Sequence, residues 1–75
     1  TKLPKTYVVR CAGALTDATI RKLAAGVVLS DGPTRPAKVA ARERSELFTT
    51  LEIELTEGRN RQVRRMVEAI GSEVL

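Results

Sequence analysis

A chain of 75 residues has room for one domain and a single thin core. Hydrophobic residues make up 43% and charged residues 29%, the balance of a globular protein and not of a disordered or fibrous one. Lys and Arg number 13 against 9 Asp and Glu, a net charge of +4 that favours an anionic partner. One cysteine makes no internal disulfide, and with no histidine the ordinary zinc sites and histidine-activated nucleophiles are excluded. The apolar stretches are a few residues long, far short of the about 20 that cross a membrane. With no secretory signal at the start, a reducing, cytoplasmic setting and no membrane partner are expected.

In chain order, Pro4 opens a strand in which Tyr7, Val9 and Cys11 share one face while Thr6, Val8 and Arg10 share the other; Gly13 ends it. Thr16 is a good helix N-cap and Asp17 suits the positive end of the dipole. Ile20, Leu23, Ala24 and Val27 then follow the spacing of a buried helix stripe, and Gly26 is its stop. Val27 to Leu29 reads as a short strand closed by the turn Ser30-Asp31-Gly32-Pro33. Ala37, Val39 and Ala41 alternate with Lys38, Ala40 and Arg42, a half-buried strand with a basic outer side, and the polar run Arg42 to Glu46 reads as a turn. Leu47 to Thr56 is the clearest strand. Leu47, Thr49, Leu51, Ile53 and Leu55 face one way, and Glu52 and Glu54, on the other side, are placed to pair with the basic side of the preceding strand.

Gly58 punctuates, and a second helix is expected from about Arg59 to Ile70, its core stripe made of Val63, Met66, Val67 and Ile70. Ser72 to Leu75 reads as the first half of a further strand. These elements predict an α+β fold: a mixed, largely antiparallel sheet with two helices on one side.

The informative stretch is Glu57 to Met66. Nine of the cations are arginines, and Arg59, Arg61, Arg64 and Arg65 crowd together with no acid among them. Cations are disfavoured at a helix start, whereas a helix N-terminus with arginines added is an anion site. On a helix of about 100° per residue, Arg61 and Arg65 point away from the core, with Arg64 and Gln62 at the two edges of the buried stripe. The border position lets the Arg64 guanidinium fix a carboxylate, and Gln62 offers an amide to a base or phosphate. Tyr7 shares a strand face with Lys5. It is either a half-buried core tyrosine or a platform on which a base stacks, with Lys5 on the phosphate. The remaining aromatic, Phe48, is expected to pack under an adjoining part of the domain.

Lys5-Thr6-Tyr7, the stretch GVVLSDGPTRPA and the stretch EGRNRQVRRM resemble, in order and spacing across essentially all of the chain, the catalytic domain of pseudouridine synthases of the ribosomal small-subunit synthase A type. The two longer stretches are most similar to the E group of the large-subunit enzymes. The resemblance implies isomerisation of a uridine of large-subunit rRNA, with no cofactor and no metal. It implies that Tyr7 is the tyrosine of the K-x-Y motif, which packs on the target base. It further implies that Arg64 ion-pairs the catalytic aspartate, and that Arg59, Arg61, Gln62 and Arg65 face RNA. In the family that aspartate lies in a G-R-L-D-type motif upstream of the K-x-Y strand, and neither Asp17 nor Asp31 has those neighbours. The expectation is therefore an internal piece of a catalytic domain, truncated at both ends and inactive alone, whose unpaired strand edges favour self-association. The alternative from the residues themselves is a non-catalytic RNA-binding module that uses the arginine-rich helix.

Overall fold

The computed structural model describes residues 3–75. Seven elements follow one another: β1 (Lys5–Ala12), α1 (Asp17–Ala25), β2 (Val28–Leu29), β3 (Gly32–Pro33), β4 (Lys38–Arg44), β5 (Phe48–Leu55) and α2 (Gln62–Ala69). Strands β1, β5 and β4 make a three-stranded sheet in that order, and β2 with β3 forms a separate two-stranded hairpin. The expected sheet was mixed; every strand pairing among the described residues is antiparallel.

Alternation along β5 decides where the core lies. Thr49, Leu51, Ile53 and Leu55 are all buried, and the residues between them are half-buried. Ile20 and Leu23 of α1 and Met66 and Val67 of α2 close over that face in one apolar cluster, so both helices lie on one side as expected. Burying each such side chain contributes about 1.5–3 kcal/mol. On the opposite face Arg42 holds Glu52 through two bonds of 3.2 and 3.0 Å, and Lys38 approaches Glu54 at 3.9 Å. These are the cross-strand pairs read from the sequence. They are solvent-facing and contribute little to stability.

The first helix starts as read: the Thr16 hydroxyl accepts the Thr19 N–H at 3.2 Å. Gly26 ends it at φ 107°, and a Cβ there would lie 2.6 Å from the Thr34 carbonyl oxygen. That close approach lets Val27 and Thr34 bond reciprocally, at 2.9 Å through the Thr34 hydroxyl and 2.8 Å through its N–H.

Gly32 and Pro33, expected in a turn, form strand β3, and other boundaries differ from the sequence reading as well. The run expected as a turn from Arg42 belongs to β4 as far as Arg44, because the register slips between Ala41 and Glu43 and Arg42 becomes the extra residue of a bulge. The turn comes later, where Ser45 caps it: its hydroxyl accepts the Phe48 N–H at 3.1 Å and its own N–H donates to the Phe48 carbonyl at 2.8 Å. Leu47, expected on the buried face, sits in that turn and is 80% exposed. The second helix starts at Gln62 instead of Arg59, because Arg61 adopts a left-handed conformation at φ 51°.

Phe48 is half-buried, and the Arg10 guanidinium lies over its ring at 4.2 Å. The segment Ser72 to Leu75 docks beside the end of β1. Ala12 donates to the Glu73 carbonyl at 2.9 Å, and Leu75 to the Arg10 carbonyl at 2.8 Å, around a single bridge between Cys11 and Val74. Among the described residues no helix is long and apolar enough to cross a membrane.

Candidate functional site

Where β1, the end of β5 and the start of α2 converge, they enclose an open cavity of about 260 Å³. Tyr7 enters from β1, Leu55 from β5, Glu57, Gly58 and Arg59 from the connecting loop, and Arg61 to Arg64 from the start of α2. Tyr7 is there because it pairs with Ile53 and projects from the face of β1 that also carries the core residue Cys11; at the end of the sheet it remains 38% exposed. Lys5, two residues before it, lies opposite Leu55 in the register and is exposed.

The cavity wall is organised by Glu57. Its carboxylate accepts the Arg35 backbone N–H at 2.8 Å and the Gln62 side-chain amide at 2.8 Å, and stands 3.4 Å from the Arg59 guanidinium. Burial pushes this carboxyl's pKa up. The donors from Arg35 and Gln62 and the Arg59 and Arg35 charges outweigh burial, so the pKa is lowered and the group stays ionised.

Gln62, expected at the helix edge facing RNA, is instead 4% exposed. Its amide oxygen accepts the Arg59 N–H at 3.1 Å, and its nitrogen reaches Glu57 and the Met66 sulfur. The later helix start turns this side chain inward, and its polar atoms are then matched one by one, as burial requires.

Arg59 and Arg65 were expected to face RNA, with Arg65 pointing away from the core. Both fold back over the turn between β2 and β3. Arg59 donates to the Gly32 carbonyl at 2.8 Å, to the Pro33 carbonyl and to Asp31 at 3.3 Å. Arg65 grips both Asp31 oxygens, at 3.0 and 3.2 Å, and also donates to the Asn60 carbonyl at 2.9 Å. The bond from Arg65 is the main cause that holds the Asp31 carboxyl below its ordinary pKa. Arg61, between Arg59 and Arg65 in the chain, adopts the left-handed conformation, which by itself costs about 1–3 kcal/mol in a residue with a Cβ.

Arg61 and Arg64 are both exposed and line the cavity with Tyr7, and neither has an ion-pair partner among the described residues. The structure thus gathers Tyr7, Arg61, Arg64 and the wall residue Gln62 at one place, and diverts the Arg59 and Arg65 guanidiniums to Asp31. Sequence reasoning passed over Asp31 and Glu57. An acid in a Ser-Asp-Gly-Pro turn reads as a turn former, and an acid before a glycine reads as a helix flank.

No family model matches the chain. It is similar to ribosomal large subunit pseudouridine synthase B of Bacillus subtilis (strain 168), 41% identical over 76 residues, covering 99% of this chain and 31% of that protein. It is also similar to ribosomal large subunit pseudouridine synthase E of Xanthomonas campestris pv. campestris, 39% identical over 89 residues and 99% of this chain, and 48% of that protein. The E enzyme of Vibrio parahaemolyticus is 44% identical over 88 residues, 99% of this chain and 37% of that protein. A solved structure of a pseudouridylate synthase superposes over 96% of this chain and 30% of its own, at a TM-score of 0.83 and 31% identity. The chain therefore spans between about a quarter and a half of the length of the curated relatives it matches.

Proposed function

We propose that this chain is part of the catalytic domain of an rRNA pseudouridine synthase of the small-subunit synthase A type, whose substrate is a uridine of large-subunit rRNA. The observation that carries the reading is the meeting of Tyr7 and Arg64, from opposite ends of the chain, in one open cavity beside exposed cations. Each side chain fits its part. Tyr7 presents a partly exposed ring to the cavity, the shape on which a displaced base stacks. Arg64 presents an unpaired guanidinium, the group that fixes a carboxylate through two parallel bonds.

In this reading Arg64 holds the catalytic aspartate, supplied by a G-R-L-D-type motif outside these residues, against the bound uridine. The glycosidic bond breaks, the base turns while it is stacked on Tyr7, and a carbon–carbon bond reforms, with Tyr7 placed to take up the proton. Arg61, in the cavity lining, and the exposed Lys5, two residues before Tyr7 on β1, contact the RNA backbone; Gln62, Arg59 and Arg65 support the wall. The chemistry needs no cofactor, and a cytoplasmic location follows from the substrate. As to subgroup, two stretches resemble the E enzymes. The match to the B enzyme, however, runs over 76 residues, close to the chain's own length, against 88 or 89 for the E enzymes. The loop lengths thus favour the B group.

The test is made in the full-length parent. Arg64→Ala is expected to abolish tritium release from RNA carrying 5-tritiated uridine while RNA affinity falls little, because a buried carboxylate that loses its partner costs about 3–5 kcal/mol. Arg61→Ala is expected to weaken RNA binding and leave turnover of the bound RNA near normal. Equal effects of the two on binding, with turnover unchanged, would refute the assignment.

A further inference from the structure

Four arginines crowd positions 59 to 65, yet two of them already hold an anion. Arg65 takes both oxygens of Asp31, and Arg59 takes Asp31 on one side and Glu57 on the other. The group Arg59, Arg65, Asp31 and Glu57 is two cations with two anions, so it presents no net charge to a ligand. Two parallel N–H bonds from one guanidinium to two oxygens are also how arginine binds a phosphate. Asp31 therefore occupies the place such a ligand would need.

The positive charge left around the cavity comes from elsewhere. Arg61 and Arg64 line it, and Lys5 stands on the neighbouring strand. A fourth cation, Arg35, lies in the loop between β3 and β4, and its backbone is fastened to the cavity wall by the 2.8 Å bond to Glu57. Its side chain is exposed and has no ion-pair partner among the described residues. Its charge is close enough to help keep Glu57 ionised. The polypeptide thus fastens a residue from the middle of the chain, with its exposed cation, to Glu57, which lines the cavity together with Arg61.

We propose that Asp31 is a built-in substitute for phosphate that withholds Arg59 and Arg65 from RNA, and that the RNA backbone at the cavity rim is gripped by Arg35 together with Arg61. The proposal rests on the RNA reading given above and deepens it. Arg35 becomes a binding residue. Asp31 becomes a positioning residue that shapes the rim and limits attraction for arbitrary RNA.

Binding of a fluorescein-labelled oligouridylate to this chain, followed by anisotropy over a salt series, tests it. Each backbone contact on a single strand contributes about 0.7 to the slope of log affinity against log salt. Arg35→Ala and Arg61→Ala are each expected to lower the slope by about 0.7. Arg65→Ala is expected to leave it unchanged. Asp31→Asn, which keeps the shape and removes the charge, is expected to steepen the slope by about 0.7 for each guanidinium released, and to tighten binding at low salt. A purely structural role for Asp31 would lower the melting temperature and leave the slope alone.

An Arg65→Ala slope reduced as far as that of Arg35→Ala overturns the proposal, as does an unchanged slope in a folded Asp31→Asn chain. If Asp31→Asn does not fold, the Arg35→Ala result decides, because that side chain is exposed and makes no ion pair: an undiminished slope there overturns the proposal. No RNA binding by the unaltered chain overturns it too. Tritium release by the parent protein then tells separately whether the isomerase reading falls with it.

Discussion

The carboxylate of Glu57 and the side-chain amide of Gln62 meet at 2.8 Å, one residue from the loop and one from the first turn of α2. Through this pair the loop after β5, the start of the second helix and the Arg35 backbone are tied into one wall of the cavity. Glu57→Ala leaves the buried amide of Gln62 without its acceptor, and an unmatched buried group costs about 1–3 kcal/mol. Urea denaturation of the variant is expected to show a loss of that size, with the slope of the transition unchanged.

Folding lowers the carboxyl pKa of Glu57, Asp31, Asp17 and Glu52. For Glu57, donors and cations outweigh burial; the main cause is the bond from Arg65 for Asp31, from Arg44 for Asp17 and from Arg42 for Glu52. A group with a lowered folded pKa binds protons more readily when unfolded, so acid favours unfolding. This contribution is complete above the ordinary carboxylate range, about pH 4, and is lost as pH falls through the lower folded values. The melting temperature is therefore expected to be flat near neutrality and to drop below that range. Glu57→Gln should flatten the drop, and an unaltered acid transition would count against the role given to this carboxylate.

Gly26 answers to two constraints at once, a φ of 107° and the Thr34 carbonyl 2.6 Å from any added Cβ. Gly26→Ala is expected to destabilise the chain by at least the about 1–3 kcal/mol of the strained backbone alone. Thermal melts read by circular dichroism should show it. Gly13→Ala meets no neighbouring atom, though its φ of 84° is strained as well, so it should cost less. The difference between the two measures the close approach.

Neither aspartate of the chain reaches the cavity. Asp17 is paired with Arg44 at 2.6 Å and Asp31 with Arg65 at 3.0 Å, and Glu57, the one carboxylate in the wall, is engaged by Arg35, Gln62 and Arg59. The purified 75-residue chain is accordingly expected to release no tritium from RNA containing 5-tritiated uridine. Sustained release would show that one of these carboxylates can leave its partner and act on the base.

Sequence alone determined the elements whose signals are local. The period-2 alternation of Thr49 to Leu55 and the Thr16 cap with Ile20 and Leu23 behind it needed no partner to be read, and both stand as read. That Tyr7 and Arg64 share a site was implied by the family resemblance of their motifs, and both line one cavity. What the tertiary structure decided is which arginines remain available. A run of four cations looks uniform in sequence because Asp31, the acid that both Arg59 and Arg65 hold, is not its near neighbour. Asp31 arrives from a hairpin 34 residues before Arg65, and only the fold brings them together. The left-handed Arg61 and the buried Gln62, bonded to Glu57 and the Arg59 N–H, are likewise set by contacts that appear only in the fold. Charge pairing acts through space, and its partners cannot be read from spacing along the chain.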